Sequence, residues 1–198
     1  MRVFVAMDVP EEVKGKIREF VGRLEAECRE ARGARWARVE GMHVTLKFIG
    51  EVATEKVEPI KKELEAVREA FAAKSKTTGE AAQVEMNFRG VGFFPNAKHP
   101  RVFWAGIEAT PNLTEIAAEI EKRLEKIGIP REGRAFHPHL TLARFKSEEG
   151  LPKLRETIEK AGAMEFGSTQ RSEFHLYESK LMRGGAVYTR LETFSIAA

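Results

Sequence analysis

The tetrapeptide His-x-Thr-Leu occurs twice in this sequence, in HVTLKFIG from His43 to Gly50 and in HLTLARFK from His139 to Lys146. The two copies lie far apart in a chain that contains only five histidines. An imidazole titrates near neutral pH and can give or take a proton there. A threonine hydroxyl can donate a hydrogen bond to an anionic oxygen. Each copy therefore offers a proton-transfer group beside an anion-binding group.

The alternation of side chains along a strand decides what each copy presents. His43 and Thr45 would project to one face, and Val44 and Leu46 to the other. The second copy, from His139, repeats this arrangement. The apolar pair can anchor each strand in a core while the polar pair remains available for chemistry.

Two such strands across a cleft would direct an acid, a base, Thr45 and Thr141 at one point. Phosphodiester cleavage needs this set, because the nucleophile loses a proton, the leaving oxygen gains one and negative charge collects on the non-bridging oxygens. Arg144 would add a permanent positive charge. Its odd offset from His139 turns it to the opposite face of a regular strand, so it reaches the site only if a β-bulge or its long side chain allows it.

The residues alone leave other roles open for the motifs. A histidine on a strand is often a structural residue, and physical reasoning balances that role evenly against catalysis. His137 and His139 would share a face of a strand and form half of a metal site, although no acidic cluster or cysteine pair accompanies them. The second possibility is the weaker one.

Composition restricts the class of protein. The 198 residues are 42% hydrophobic and 32% charged, as in a globular chain. The net charge of +3 argues against nonspecific wrapping of long nucleic acid. The single cysteine, Cys28, cannot form an internal disulfide, and no apolar run has the length of a signal peptide core or a membrane span. We therefore expect a cytoplasmic protein without a membrane anchor.

Hydrophobic periodicity predicts mixed strands and helices without a Gly-rich nucleotide motif, which favours an α+β fold over a doubly wound one. Asp8 and Glu11 indicate the start of the first helix. The first motif is predicted to lie in a strand from about Ala34 through Phe48, and a hairpin is predicted at Arg183-Gly184-Gly185. The two motif copies predict a single domain over 1–198 with two pseudo-symmetric lobes.

Several segments together resemble the two-histidine (2H) phosphoesterases, and within them the RNA 2′,3′-cyclic phosphodiesterases, also called 2′-5′ RNA ligases. The segments are RVFVAMDVP, HVTLKFIG, FFP with RVFWAGI, HPHLTLARF, and the closing ESKL and GGAVYTRLETF. The resemblance covers nearly the whole chain. It implies a bilobal α+β fold whose antiparallel sheets face a central cleft, with the helices outside and with no metal or nucleotide cofactor.

The resemblance also implies roles for individual residues. His43 would be the general acid and His139 the general base, while Thr45, Thr141 and Arg144 would bind the phosphate. The expected reaction converts RNA 2′,3′-cyclic phosphate ends to 2′-phosphate ends, and its reversal with an RNA 5′-hydroxyl would form a 2′-5′ linkage without ATP.

The expected partners are RNA with cyclic phosphate ends, such as tRNA fragments, or small cyclic phosphonucleotides, with no membrane and no obligate protein partner. Two alternatives remain at this point. One is a module that binds RNA ends or phosphonucleotides without catalysis, and the other is a metal-dependent phosphoesterase centred on His137 and His139.

Overall fold

The computed structural model describes residues 1–29, 31, 33–78, 83–183 and 185–197. The described part of the chain forms nine strands and four α-helices. The strands are β1 (Arg2–Asp8), β2 (Ala34–Trp36), β3 (His43–Glu51), β4 (Val84–Phe94), β5 (Val102–Ala109), β6 (His139–Phe145), β7 (Glu165–Arg171), β8 (Glu173–Met182) and β9 (Gly185–Ser195). The helices are α1 (Glu11–Glu27), α2 (Val57–Thr78), α3 (Pro111–Glu125) and α4 (Leu151–Ala161).

The strands form two antiparallel sheets, and each sheet contains one motif strand. The first sheet has the order β3-β1-β8-β9, and the second has the order β2-β6-β5-β4-β7. The strands β3 and β6, which begin at the two motif histidines, contact each other where the sheets meet. The expected α+β fold with two antiparallel sheets is confirmed.

The chain crosses repeatedly between the sheets. Helix α1 follows β1 of the first sheet but packs on β7 of the second, and α3 follows β5 of the second sheet but packs on β3 and α2. Each lobe therefore takes elements from both halves of the sequence. Of the helices that the structure describes, none is long and apolar enough to span a membrane.

One continuous apolar core fills the space between the sheets and the helices. It includes the stripe of α1 that the helical period predicts, with Ile17 and Phe20 almost fully buried. Burial of each such side chain stabilises the fold by about 1.5–3 kcal/mol. A second, small cluster of Phe4, Ala6 and Tyr177 lies apart from this core. Since alternate residues of β1 belong to the two clusters, the small cluster marks the opposite face of the first sheet.

The predicted continuous strand from Ala34 through Phe48 is wrong, because this segment passes from one sheet to the other. β2 pairs with β6 in the second sheet, whereas β3 pairs with β1 in the first. A 3₁₀ turn at Val39–Gly41 makes the connection. The sequence pattern could not show this change of partner, because both pieces are rich in strand-forming residues.

Two other predictions, the helix start at Asp8 and the hairpin at Arg183-Gly184-Gly185, compare with the structure as follows. Asp8 ends β1 and does not cap α1, whose N-cap is Pro10 without a side-chain hydrogen bond. The hairpin between β8 and β9 is present with Gly185 at a positive φ of 122°. Gly184, part of the predicted turn, lies outside the described residues.

A buried ion pair joins the first motif strand to α3. Lys47 is only 4% exposed, and its Nζ lies 2.7 Å from Glu121 Oε2 and donates a hydrogen bond to the Pro130 carbonyl at 2.8 Å. The same Glu121 oxygen accepts a hydrogen bond from the Glu132 backbone N–H at 3.2 Å. A buried ammonium group is costly unless it is paired, so these acceptors hold β3 against α3 and the segment that follows it.

Removal of one partner of this ion pair should destabilise the fold more than removal of both charges. Glu121→Ala leaves the Lys47 ammonium buried without its counter-ion and should lower the free energy of unfolding by about 3 kcal/mol. The double variant Lys47→Met with Glu121→Leu removes both charges and should change it by less than about 1 kcal/mol. Urea denaturation of both variants measures the difference. An equal loss in the two variants would contradict this account.

Candidate active site

Each motif strand contains a β-bulge at the same position. Between β3 and β1 the register shifts so that Leu46 is the additional residue, and between β6 and β5 the additional residue is Leu142. Burial follows the same order in both strands, with the histidine and threonine half-buried, the next two positions buried and the sixth position exposed. Of the two ways in which Arg144 could reach the site, the structure contains the bulge. It turns Arg144 to the same face as His139 and Thr141.

The polar faces of the two motif strands point away from the core. Val44 and Leu46 lie in the large apolar core, as do Leu140 and Leu142. The alternating side chains, the histidine and threonine of each copy, lie on the face of each strand opposite the core. The two strands that carry them, β3 and β6, contact each other where the sheets meet.

Both motif histidines are held in the same tautomer by the backbone carbonyl two residues earlier in the chain. The Nδ1 atom of His43 lies 2.9 Å from the Gly41 carbonyl, and that of His139 lies 2.8 Å from the His137 carbonyl. A carbonyl oxygen can only accept a hydrogen bond, so Nδ1 carries the proton in each ring. In the neutral imidazole, Nε2 is then unprotonated and available for proton transfer.

The two imidazoles differ in their charged neighbours. Burial is the main cause that lowers the pKa of both His43 and His139 below the ordinary value for histidine. The carboxylate of Asp8 acts in the opposite direction on His43, raising its pKa, whereas the Arg144 guanidinium lowers the pKa of His139 further. Smaller contributions from Lys14 and His137 also lower the respective values. The charge beside His43 therefore favours its protonated form and the charge beside His139 favours its neutral form, while burial favours the neutral form of both.

A hydrogen-bonded group holds Asp8 beside the first motif. Tyr177 Oη donates to Asp8 Oδ1 at 2.5 Å, and Arg190 Nη2 donates to Asp8 Oδ2 at 2.5 Å. His175 Nε2 lies 3.6 Å from the same carboxylate. Burial and the bond to Asp8 raise the pKa of Tyr177 to about 12, so its hydroxyl stays a donor at neutral pH. The carboxylate is therefore fixed next to His43, its partner in the β1–β3 register.

Aromatic rings surround both motif histidines. Phe4 stacks on His43 with ring centroids 4.4 Å apart, and Tyr188 meets the same imidazole edge to face at 5.1 Å. Phe94 meets His139 edge to face at 5.1 Å. These rings fix the imidazole planes. Phe4 is buried, whereas Tyr188 is 37% exposed and offers a ring surface that can stack on a nucleobase.

A cavity of about 380 Å³ opens beside the second motif. It lies on the face of the second sheet where β4, β5 and the segment before β6 meet. Its lining combines aromatic, glycine and charged residues: Arg89, Gly90, Val91, Phe94, Trp104, Gly106, Ile107, Glu108, His137, Pro138 and His139.

The structure removes the premise of the metal alternative. His137 precedes β6, so His137 and His139 are not neighbours on one face of a strand. The His137 carbonyl instead orients the His139 ring. Among the described residues, no group of three or more histidine, cysteine, aspartate or glutamate side chains is arranged to hold a metal ion.

Sequence reasoning missed the residues that surround the motifs. Asp8 was interpreted as a helix start. Arg190 lies in the segment GGAVYTRLETF that carries the resemblance, but no role was predicted for it, for Tyr177 or for His175. The one available signal was the position of Asp8 at the end of an otherwise apolar strand, where a carboxylate needs partners.

Comparison with known proteins identifies the family. A sequence model of the 2′-5′ RNA ligase superfamily matches residues 10–181. The RNA 2′,3′-cyclic phosphodiesterase of Methanocaldococcus jannaschii is 32% identical over 188 residues, which cover 95% of this chain and 96% of the relative. That of Archaeoglobus fulgidus is 31% identical over 194 residues, covering 98% and 99%.

Solved structures agree with the sequence comparison. The crystal structure of E. coli LigT complexed with 3′-AMP has a TM-score of 0.73 at 25% identity and covers 98% of this chain and 97% of its own. Sequence and fold are thus shared over nearly the full length of these proteins. The expectation of a two-histidine phosphoesterase is confirmed, and the chain belongs to the 2′-5′ RNA ligase superfamily.

Proposed function

We propose that this protein hydrolyses RNA 2′,3′-cyclic phosphate ends to 2′-phosphate ends by acid–base catalysis with two histidines. The observation that carries the proposal is the pair of equivalent imidazoles, His43 and His139, each with Nδ1 bound to a carbonyl and with no hydrogen bond from Nε2 to any described residue. Their charged neighbours, Asp8 and Arg144, have opposite signs. Relatives aligned over nearly the whole chain carry the name RNA 2′,3′-cyclic phosphodiesterase.

Because Asp8 and Arg144 carry opposite charges, the two histidines are proposed to have different roles in proton transfer. His139, kept neutral beside Arg144, accepts a proton from water at Nε2 as the oxygen attacks phosphorus. His43, whose protonated form Asp8 favours, donates a proton from Nε2 to the departing O3′. The phosphate remains on O2′, and the two histidines exchange protons with solvent before the next turnover.

The charge that develops on the non-bridging oxygens needs donors in the cleft. Thr45 and Thr141 offer hydroxyls on the same faces as the two histidines, and Arg144 supplies a permanent cation on the same face of β6 as Thr141. Donors aimed at developing charge in a partly dry site stabilise the transition state more than the ground state.

Each lobe takes elements from both halves of the chain, so the proposed catalytic unit is the whole of 1–198, working in the cytoplasm. The proposed substrates are RNA ends, including those of tRNA fragments. Small cyclic phosphonucleotides contain the same reacting group, and a comparison of their kcat/KM with that of RNA ends separates the two. Formation of 2′-5′ linkages is the reverse direction of the same chemistry, with an RNA 5′-hydroxyl in place of water.

The first test incubates a short RNA that ends in a 2′,3′-cyclic phosphate with the protein and excess EDTA, without ATP. The expected product is a 2′-phosphate, identified against 2′- and 3′-phosphate standards. His43→Ala and His139→Ala should each lower kcat by about 10²- to 10⁴-fold, because each removes a proton-transfer group.

The matched control is His99→Ala. His99 is an exposed histidine whose Nδ1 lies 2.8 Å from Glu148, and its loss should leave kcat within about twofold. Retention of the RNA without turnover would instead support a binding module. Activity that is lost in EDTA and restored by a divalent cation would support a metal-dependent enzyme.

The pH dependence tests the roles of the two histidines. Asp8→Asn removes the anion that raises the pKa of His43, so His43 loses its proton at lower pH and the alkaline limb of kcat/KM should move to lower pH. Arg144→Gln removes a cation that lowers the pKa of His139, so the acidic limb should move to higher pH. Rate profiles between pH 4 and 9 measure both limbs.

Tyr177→Phe provides a matched control, because it removes a hydrogen bond to Asp8 but keeps the carboxylate. It should move the alkaline limb less than Asp8→Asn does. If Asp8→Asn lowered the rate equally at every pH, Asp8 would have only a structural role. If Asp8→Asn moved the acidic limb, His43 would be the base.

A further inference from the structure

The assignment of acid and base gives the active site two distinct sides. In the proposed function, on which this inference rests, the attacking oxygen enters roughly in line with the departing O3′. His43 serves the departing oxygen and His139 the attacking one. Whatever group is attached to the attacking oxygen must therefore lie beyond His139, on the second sheet.

The cavity of about 380 Å³ occupies this position. Its lining includes His139 and the two residues before it, so it opens directly from the general base. In the β5–β6 register, Gly106 is the partner of His139 and Trp104 is the partner of Thr141. Because Gly106 has no side chain, no side chain of β5 stands beside the His139 ring at that register position.

Trp104 gives the cavity a flat apolar surface. A Cβ atom at Gly92 would lie 2.3 Å from Trp104 Cζ2, so the indole lies directly against the backbone of β4 at that glycine. Phe94 stands beside it, with ring centroids 5.1 Å apart. The Trp104 Nε1 atom is buried and has no hydrogen-bond partner among the described residues. The indole thus presents a ring surface and no hydrogen-bond donor to the cavity.

The other end of the cavity is polar and open to solvent. Arg89 Nη1 and Glu108 Oε2 lie 3.4 Å apart there, and both side chains are more than half exposed. An exposed ion pair of this kind contributes little to stability. It offers donors and an acceptor for the polar edge of a base whose face rests on Trp104 and Phe94. An aromatic surface with a polar end matches a nucleoside in both size and chemistry.

We propose that this cavity binds the nucleoside that carries the attacking 5′-hydroxyl in 2′-5′ ligation, and the same nucleoside as the departing group in 2′-5′ cleavage. In ligation the O5′–P bond forms and the P–O3′ bond breaks. The 5′-hydroxyl proton passes to His139 Nε2, and O3′ receives a proton from His43 Nε2. No oxidant, reductant or nucleotide cofactor enters the balance.

The nucleoside of the cyclic phosphate lies on the other side. Phe4 and Tyr188, the rings that contact His43, belong to the first sheet. When water is the nucleophile, the cavity on the second sheet holds no nucleoside. Hydrolysis and ligation therefore use the same histidines but differ in their dependence on the cavity, and their ratio reports whether the cavity is used.

The test compares hydrolysis and ligation in the same preparation. Hydrolysis is measured on a short RNA with a 2′,3′-cyclic phosphate, and ligation on that RNA together with a second RNA that has a 5′-hydroxyl. Cleavage of a 2′-5′-linked dinucleotide provides the reverse reaction. In Trp104→Ala and Trp104→Leu, the ratio of ligation to hydrolysis and the ratio of 2′-5′ cleavage to hydrolysis should both fall roughly 10- to 100-fold, as expected for a lost base stack.

The control is Tyr188→Ala, on the side of the cyclic phosphate. It should lower hydrolysis and ligation together and leave their ratio within about twofold of wild type. Arg89→Ala and Glu108→Gln alter only the exposed end of the cavity and should lower the ratio without lowering the melting temperature. They keep the test valid if the tryptophan variants fold poorly.

The possible failures are distinguishable. If the wild-type protein does not hydrolyse the cyclic phosphate, the proposed function fails. If it hydrolyses the cyclic phosphate but neither forms nor cleaves a 2′-5′ linkage, the cavity has no such role and the inference is overturned. If the Trp104 variants lose hydrolysis and ligation equally, the cavity holds the nucleoside of the cyclic phosphate instead.

Discussion

The β-bulge at the same position in both motif strands is the constraint on which the site depends. In a regular strand, Arg144 would point into the core and Ala143 into the cleft. The additional residue, Leu142, reverses this order, so that one strand delivers an imidazole, a hydroxyl and a guanidinium to the same face. The same bulge in β3 turns Phe48 outward, where it is 48% exposed, and turns Lys47 inward. The buried ion pair with Glu121 is therefore a consequence of the bulge.

A symmetric backbone supports an asymmetric chemistry. Both motif histidines bind a carbonyl two residues earlier through Nδ1, and burial lowers the pKa of both. The difference lies in charged residues that the two copies do not share. Asp8 lies at the end of β1 and is held by residues of β8 and β9, whereas Arg144 belongs to the second motif strand itself. Equal scaffolds thus receive unequal charges, which favour the protonated form of His43 and the neutral form of His139.

The sequence predicted what depends on local pattern. The apolar stripe of α1, the α+β class and the orientation of each His-x-Thr pair follow from the periods of 3.6 and 2 residues. The odd offset of Arg144 from His139 also showed that Arg144 needs either a bulge or the reach of its long side chain. These inferences require only the spacing of residues within one helix or strand, which decides whether their side chains share a face.

What depends on distant partners was not predictable. The strand predicted from Ala34 through Phe48 is divided between two sheets because its pieces pair with β6 and β1. The partners of Asp8 come from β8 and β9, near the other end of the chain. The cavity beside His139 depends on how Trp104 rests on Gly92 of a neighbouring strand. Periodicity shows which face a residue occupies but does not show which strand lies next to it.

The division of the cleft explains how one pair of histidines can serve two reactions. Water and an RNA 5′-hydroxyl present the same attacking atom, so the acid, the base and the anion-binding groups need not distinguish them. Water is always in large excess, and ligation competes with hydrolysis only if binding energy holds the second nucleoside in line with the phosphorus. A surface that binds this nucleoside must lie beyond the general base and must be able to stand empty during hydrolysis. The open, aromatic cavity on the second sheet meets both conditions, whereas Phe4, the ring stacked on His43, is buried.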